Sequence, residues 1–136
     1  MFPRISIGGN AIRVRLSNAA GTSDLVIAST HVALRGEGIA SIRPGTDRDV
    51  TFNGRPAAKI PAGAFVISDP VKLTVKPLED LAVSLHIPND LPANFGVTGR
   101  YSRQFNYISP PGDFTAQEGT SKIGAAGRGL SDGAGF

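Results

Sequence analysis

The sequence predicts an all-β domain, an antiparallel β-sandwich of jelly-roll type that ends in a flexible Gly-rich tail. Three observations predict it. Apolar residues recur with period two along most of the chain, the periodicity of strands that bury one face. Turn signals interrupt these runs at intervals of roughly 8–12 residues, the spacing of a sandwich or barrel. The 136 residues include 17 Gly and 10 Pro, and no segment sustains a helical period, which argues against a helical bundle.

The elements follow in order. Ile5–Ile7 is a short apolar run, and Gly8-Gly9-Asn10 supplies the positive φ of a tight hairpin into the next strand. Ile12, Val14 and Leu16 alternate with Arg13 and Arg15, which sends three apolar side chains inward and two guanidiniums outward. Leu25 to Leu34 is nearly continuously apolar and reads as one long central strand. Pro44-Gly45 breaks the pattern. Val50–Phe52 and Ala57–Ile60 then flank Asn53-Gly54, the strongest hairpin signal in the chain. Pro61-Ala62-Gly63 leads into Ala64–Ile67, and Asp69-Pro70 precedes Val71, Leu73 and Val75, which alternate with Lys72 and Thr74. Leu81, Val83, Leu85 and Ile87 alternate with Ala82, Ser84 and His86. A last strand, Tyr101 to Ile108, carries Tyr101, Arg103, Phe105 and Tyr107 on one face.

Residues 1–118 are thus one β-domain. Residues 119–136 hold six Gly and almost nothing that packs, so they cannot bury enough apolar surface to offset their ordering entropy. A linker-like tail is the expectation.

Composition excludes several function classes. The net charge of +3 is modest and its arginines are scattered, whereas a nucleic-acid interface concentrates basic residues around aromatic platforms. No nucleic-acid partner is expected. Without cysteine there is neither a disulfide framework nor a thiolate zinc site. No apolar run approaches the ~20 residues that span a bilayer, so no membrane partner is expected. The start MFPRISIGG lacks the basic and apolar regions of a secretory signal, and location stays open.

Candidate chemistry is sparse. His31 and His86 lie within strands, as do Ser29 and Ser84, and no spacing among them announces a nucleophile with its base. Gly112-Asp113-Phe114 and Gly129-Leu130-Ser131-Asp132-Gly133 read as loops, without the apolar strand that precedes a nucleophile elbow. Asp47 and Asp49 flank Arg48; two carboxylates fall short of the roughly six to eight oxygens that Ca²⁺ takes. A salt bridge or turn cap is the expectation there. No metal and no cofactor are expected. The best binding candidates are Tyr101, Arg103, Phe105 and Tyr107, with Phe95 just before them. Aromatic faces beside a fork-shaped donor suit a carbohydrate, while burial in the core or against another domain is the competing reading.

Four phrases, IRVRLSNAAG, LVIASTHVALRG, PGTDRDVTFNGRPAAKIPAGAFVISDPVKLTV and LEDLAVSLHIP, occur in this order. Their order and spacing resemble the N-terminal β-sandwich domain that precedes the catalytic domain in a group of bacterial SGNH (GDSL-type) hydrolases, a family of esterases and lipases. The resemblance covers roughly Arg4 to Thr115. It implies a non-catalytic accessory domain whose partner is the catalytic domain. The family's Gly-Asp-Ser nucleophile block and Asp-x-x-His base block are absent, and Gly112-Asp113-Phe114 has Phe in the nucleophile's place. The chain alone is therefore expected to be inactive. The alternative is a free-standing carbohydrate-binding β-sandwich that takes a glycan or acylated glycan. The chain departs from the family in having no Trp, in Ala20 before Gly21 and in Asp24 before Leu25. Its start at Met1-Phe2-Pro3 and its linker-like end imply a chain cut at both ends, a gene fragment, a truncated piece or a degenerate copy, with an unpaired edge where a first strand is missing.

Overall fold

The computed structural model describes residues 1–38, 40–88, 109 and 112–116. These residues hold no helix. They form nine strands: β1 (Gly9–Ile12), β2 (Arg15–Ser17), β3 (Leu25–Ile27), β4 (Ser29–Leu34), β5 (Arg48–Asp49), β6 (Ala58–Ile60), β7 (Phe65–Ile67), β8 (Val71–Val75) and β9 (Leu81–His86). Every pairing is antiparallel, as the all-β reading requires.

The pairing is nested: β1 with β8, β2 with β7, β3 with β6 and β4 with β5. One arm runs from Arg4 to Arg35 and the other returns from Ile42 to Asp80, with bridges Arg35↔Ile42 at the closed end and Arg4↔Asp80 at the open end. Residues 4–80 thus form one long antiparallel ribbon with interruptions. β9, which follows the open end, pairs along β4 from Ser29↔His86 to Leu34↔Leu81. This contact rolls the ribbon until its open end meets its closed end. The apolar faces are enclosed by the roll, and Ile27, Val32, Val50 and Ile60 are almost wholly buried.

Alternation is clearest in β8, where Val71, Leu73 and Val75 are buried and Lys72 and Thr74 exposed. Arg13 and Arg15 are likewise exposed, while Ile12, Val14 and Leu16 turn toward the core. The Asn53-Gly54 turn forms as expected, but Val50–Phe52 is no strand and β6 pairs with β3 instead. Both turn residues have positive φ, 52° and 75°, the geometry of a type I′ turn, and Phe52 bridges Arg55. The Asp69 carboxylate caps this turn, accepting from Gly54 N at 2.8 Å, Thr51 Oγ1 at 2.7 Å and Asn53 N at 3.2 Å. The Gly54 amide, with the other donors, holds that carboxyl below the usual range.

Four other local expectations are corrected. Gly8-Gly9-Asn10 is no hairpin, because Gly9 already belongs to β1 and pairs with Val75. Gly8 is needed for close approach instead: a Cβ there would lie 2.8 Å from both Pro77 Cδ and the Val75 carbonyl. Ile5–Ile7 is not a strand; Ile5 exchanges backbone bonds with Leu78 and Glu79, and Ile7 is 83% exposed. The run from Ile12 to Leu16 divides because Ser68 inserts beside Val14, donating its N–H to the Val14 carbonyl and accepting from Val14 N at its hydroxyl, each at 2.9 Å. Pro70 has no N–H, so the ladder cannot run straight from β7 into β8. The long strand from Leu25 to Leu34 changes partners at Ala28, whose N–H goes to the His86 carbonyl at 2.9 Å.

β9 also departs from simple alternation. Ala82 and its cross-strand partner Ala33 are both buried on the outer face, at 5% and 1% exposure. The cause is the N-terminal segment, which lies along β9 with Val83 N donating to Met1 O at 2.8 Å and Leu81 N to Pro3 O at 2.9 Å. That register sets Phe2, itself buried, opposite Ala82. Met1–Pro3 thus occupies the edge of β9 that faces away from β4.

Candidate functional site

Strand geometry assembles a polar strip on the outer face of the β5–β4–β9 sheet. Side chains two apart share a face, so Ser29 and His31 on β4 point the same way as Ala33. Their cross-strand partners His86 and Ser84 extend the strip onto β9, and Asp49 of β5 stands opposite His31. At Ala33 and Ala82 the face is apolar and buried, so the strip is bounded on that side.

His31 is gripped from both sides. Its Nδ1 is 2.8 Å from Asp47 Oδ2 and its Nε2 is 3.1 Å from Asp49 Oδ1. These two contacts tie the 43–49 segment to β4. Asp47 and Asp49 thus share His31 as their partner, where a salt bridge or turn cap was expected.

At the other end of the strip the chain returns. Asp113 Oδ2 accepts from Ser29 Oγ at 2.8 Å and lies 3.3 Å from His86 Nδ1. Its Oδ1 accepts from Thr115 N at 3.0 Å and Thr115 Oγ1 at 2.6 Å. The Thr115 hydroxyl, its amide, the Ser29 hydroxyl and the charge of His86 together push the Asp113 carboxyl down to about 2. The expected consequence has a definite sign. The folded value lies below the ordinary carboxylate value near 4, so the stabilisation is complete above about pH 4 and disappears as pH falls through about 2. The energy is small, because the Asp113 side chain is 45% exposed and solvent screens it. An NMR titration that follows the Asp113 carboxyl carbon checks this; a midpoint at the ordinary value would contradict it.

The order of groups decides what this site can do. Hydrolysis by a serine needs the imidazole between hydroxyl and carboxylate, so that it takes the hydroxyl proton. Here the carboxylate stands between Ser29 and His86, and each bonds to it rather than to the other. His31 is likewise committed to carboxylates. Among the described residues no group of three or more His, Cys, Asp or Glu is disposed to hold a metal ion.

A second concave feature is an open cleft of about 310 Å³ lined by Arg35, Gly36, Glu37, Arg43, Glu79 and Asp80. Its charges neutralise one another: Arg4 pairs with Asp80 at 2.8 Å, Arg35 with Asp80 at 3.5 Å and Arg43 with Glu79 at 3.1 Å. Of the lining charges, Glu37 alone has no ion-pair partner among the described residues.

The candidates Tyr101, Arg103, Phe105 and Tyr107, with Phe95, lie outside the described residues. So do the boundary at 118 and the Gly-rich segment 119–136. His31 and His86, read from the sequence as unremarkable strand positions, prove to share one face. Ser29 and Ser84 share that face too. Asp113, read as part of a plain loop, joins them from more than eighty residues beyond Ser29. A signal for the face was present in the common phase of Ser29, His31, Ser84 and His86 within their strands, but nothing local pointed to Asp113. Comparison with protein-family models and with curated proteins finds no match for this chain.

Proposed function

We propose that the chain is a non-catalytic N-terminal accessory domain of an SGNH (GDSL-type) esterase or lipase, which scaffolds the catalytic domain or shapes access to its ester substrate. Support comes first from the order of the sequence phrases, each of which coincides with paired strands of the ribbon. IRVRLS runs from the last residue of β1 through β2, LVIASTHVAL spans β3 and β4, and AAKIPAGAFVISDPVKLTV spans β6 to β8. The nested pairing supports the jelly-roll sandwich within this reading.

The observation that carries the non-catalytic part is the Ser29–Asp113–His86 order, in which no imidazole receives a hydroxyl proton. The purified chain is expected to turn over neither p-nitrophenyl acetate nor p-nitrophenyl butyrate above the buffer rate. Turnover that disappears in a His31→Ala, His86→Ala double variant would overturn it. Glycan-array binding by the chain alone would move the assignment to a carbohydrate-binding module.

A further inference from the structure

Residues 112–116 sit against β4 and β9 without a backbone hydrogen bond to either strand among the described residues. Their attachment is made by side chains. Ser29 Oγ and His86 Nδ1 both end on Asp113 Oδ2, at 2.8 and 3.3 Å, and the Ser29 and Thr115 hydroxyl oxygens are 3.0 Å apart. The other carboxylate oxygen is turned back onto Thr115, an Asx-type turn that aims Oδ2 at the sheet. Gly112, at φ 135°, takes a conformation that residues with a Cβ rarely adopt, and a Cβ there would meet the Phe114 ring at 3.0 Å. The segment is thus preshaped to present one carboxylate.

We propose that Asp113 is a charge-dependent clamp that fastens the strap 112–116 over Ser29 and His86, separably from the fold of the ribbon. Three features favour a clamp over an integral part of the core. Its contacts with the sheet come from Asp113 and the neighbouring Thr115 alone, whereas the core is a continuous apolar cluster drawn from β2 to β9. The partners belong to strands already paired to each other at Ser29↔His86, so the sheet does not need the strap. His31, next on the same face, is saturated by Asp47 and Asp49 and does not compete for Asp113. The clamp has two consequences. It keeps Ser29 and His86 covered, and the chain beyond Ala116 starts from a corner fixed by one ionised side chain.

The test uses the full chain carrying Asp113→Asn, which keeps size and hydrogen-bonding capacity but removes charge, and Asp113→Glu, which keeps the charge. Proton–proton NOEs between Thr115 and the side chains of Ser29 and His86 report the strap. Hydrogen exchange of the Val32 and Val83 amides reports the ribbon. The NOEs are expected to be lost in Asp113→Asn and at least partly retained in Asp113→Glu, with core exchange unchanged in both. Persistence of the NOEs in Asp113→Asn would overturn the role of charge. Accelerated exchange at Val32 and Val83 together with loss of the NOEs would show that the strap is part of the cooperative core, and would overturn the separable clamp.

Discussion

Phe52→Ala is expected to lower the unfolding free energy by about 3–5 kcal/mol, the range for large-to-small aromatic changes in packed interiors. Phe52 is 4% exposed and joins the core beside Val50, Ile60 and Val71. It also closes the Asn53-Gly54 hairpin through paired backbone bonds to Arg55, at 2.7 and 3.2 Å. Truncation therefore removes buried apolar area and leaves a cavity at the base of a turn that Asp69 holds rigid. Domains of this size are stable by only about 5–15 kcal/mol, so a substantial unfolded fraction should appear at mild denaturant concentration. Urea unfolding followed by circular dichroism measures it. Phe65→Ala is the control, since Phe65 is 54% exposed with the Arg15 guanidinium 4.2 Å above its ring, and its loss should cost no more than about 1 kcal/mol. Equal effects from the two variants would refute the assignment of Phe52 to the core.

Asn18→Ala is expected to cost about 2–3 kcal/mol, because one buried and one part-buried hydrogen bond are lost and their acceptors stay behind. Asn18 is buried at 7%, and its Nδ2 donates to Ser23 O at 2.8 Å and to Ile60 O at 2.9 Å. Its own carbonyl accepts from Gly21 N at 3.1 Å and Gly63 N at 2.9 Å. One side chain and one carbonyl thus join the 18–24 turn to the 61–64 turn across the ribbon. Gly21 belongs to the same unit, since a Cβ there would lie 1.9 Å from Asn18 Oδ1. The amide is pinned by both of its donor bonds and has little room to swing aside. Gly21→Ala should therefore be damaging alone and much less so on the Asn18→Ala background. A double-mutant cycle by thermal unfolding reads this coupling, and strict additivity would show the two positions to be independent.

How much was legible in advance varies residue by residue. Val71 to Val75 was readable because its alternation is one-sided and complete. Asn53-Gly54 was readable because the turn type and the residues that tolerate it are a local matter. Gly8-Gly9 was misread for the same reason: it has the composition of a turn, yet its use is set by Pro77 and Val75 across the ribbon. Ala28 carries no local mark of the change of partner that divides the central strand. The outward phase of His31 and His86 was written in their strands, but their carboxylates, Asp47, Asp49 and Asp113, come from other parts of the chain.

The sequence by itself determined that the chain is all-β, where most strands and turns fall, and which side of each strand is apolar. These follow from side-chain period and backbone preference, which act over a few residues. Only the tertiary structure decided that the strands pair as a nested ribbon, that β9 rolls against β4, and that Asp113 stands between Ser29 and His86. Those outcomes depend on contacts between residues dozens of positions apart. Such contacts form because rolling the ribbon buries both apolar arms at once, and no local pattern records which distant carboxylate then meets which histidine.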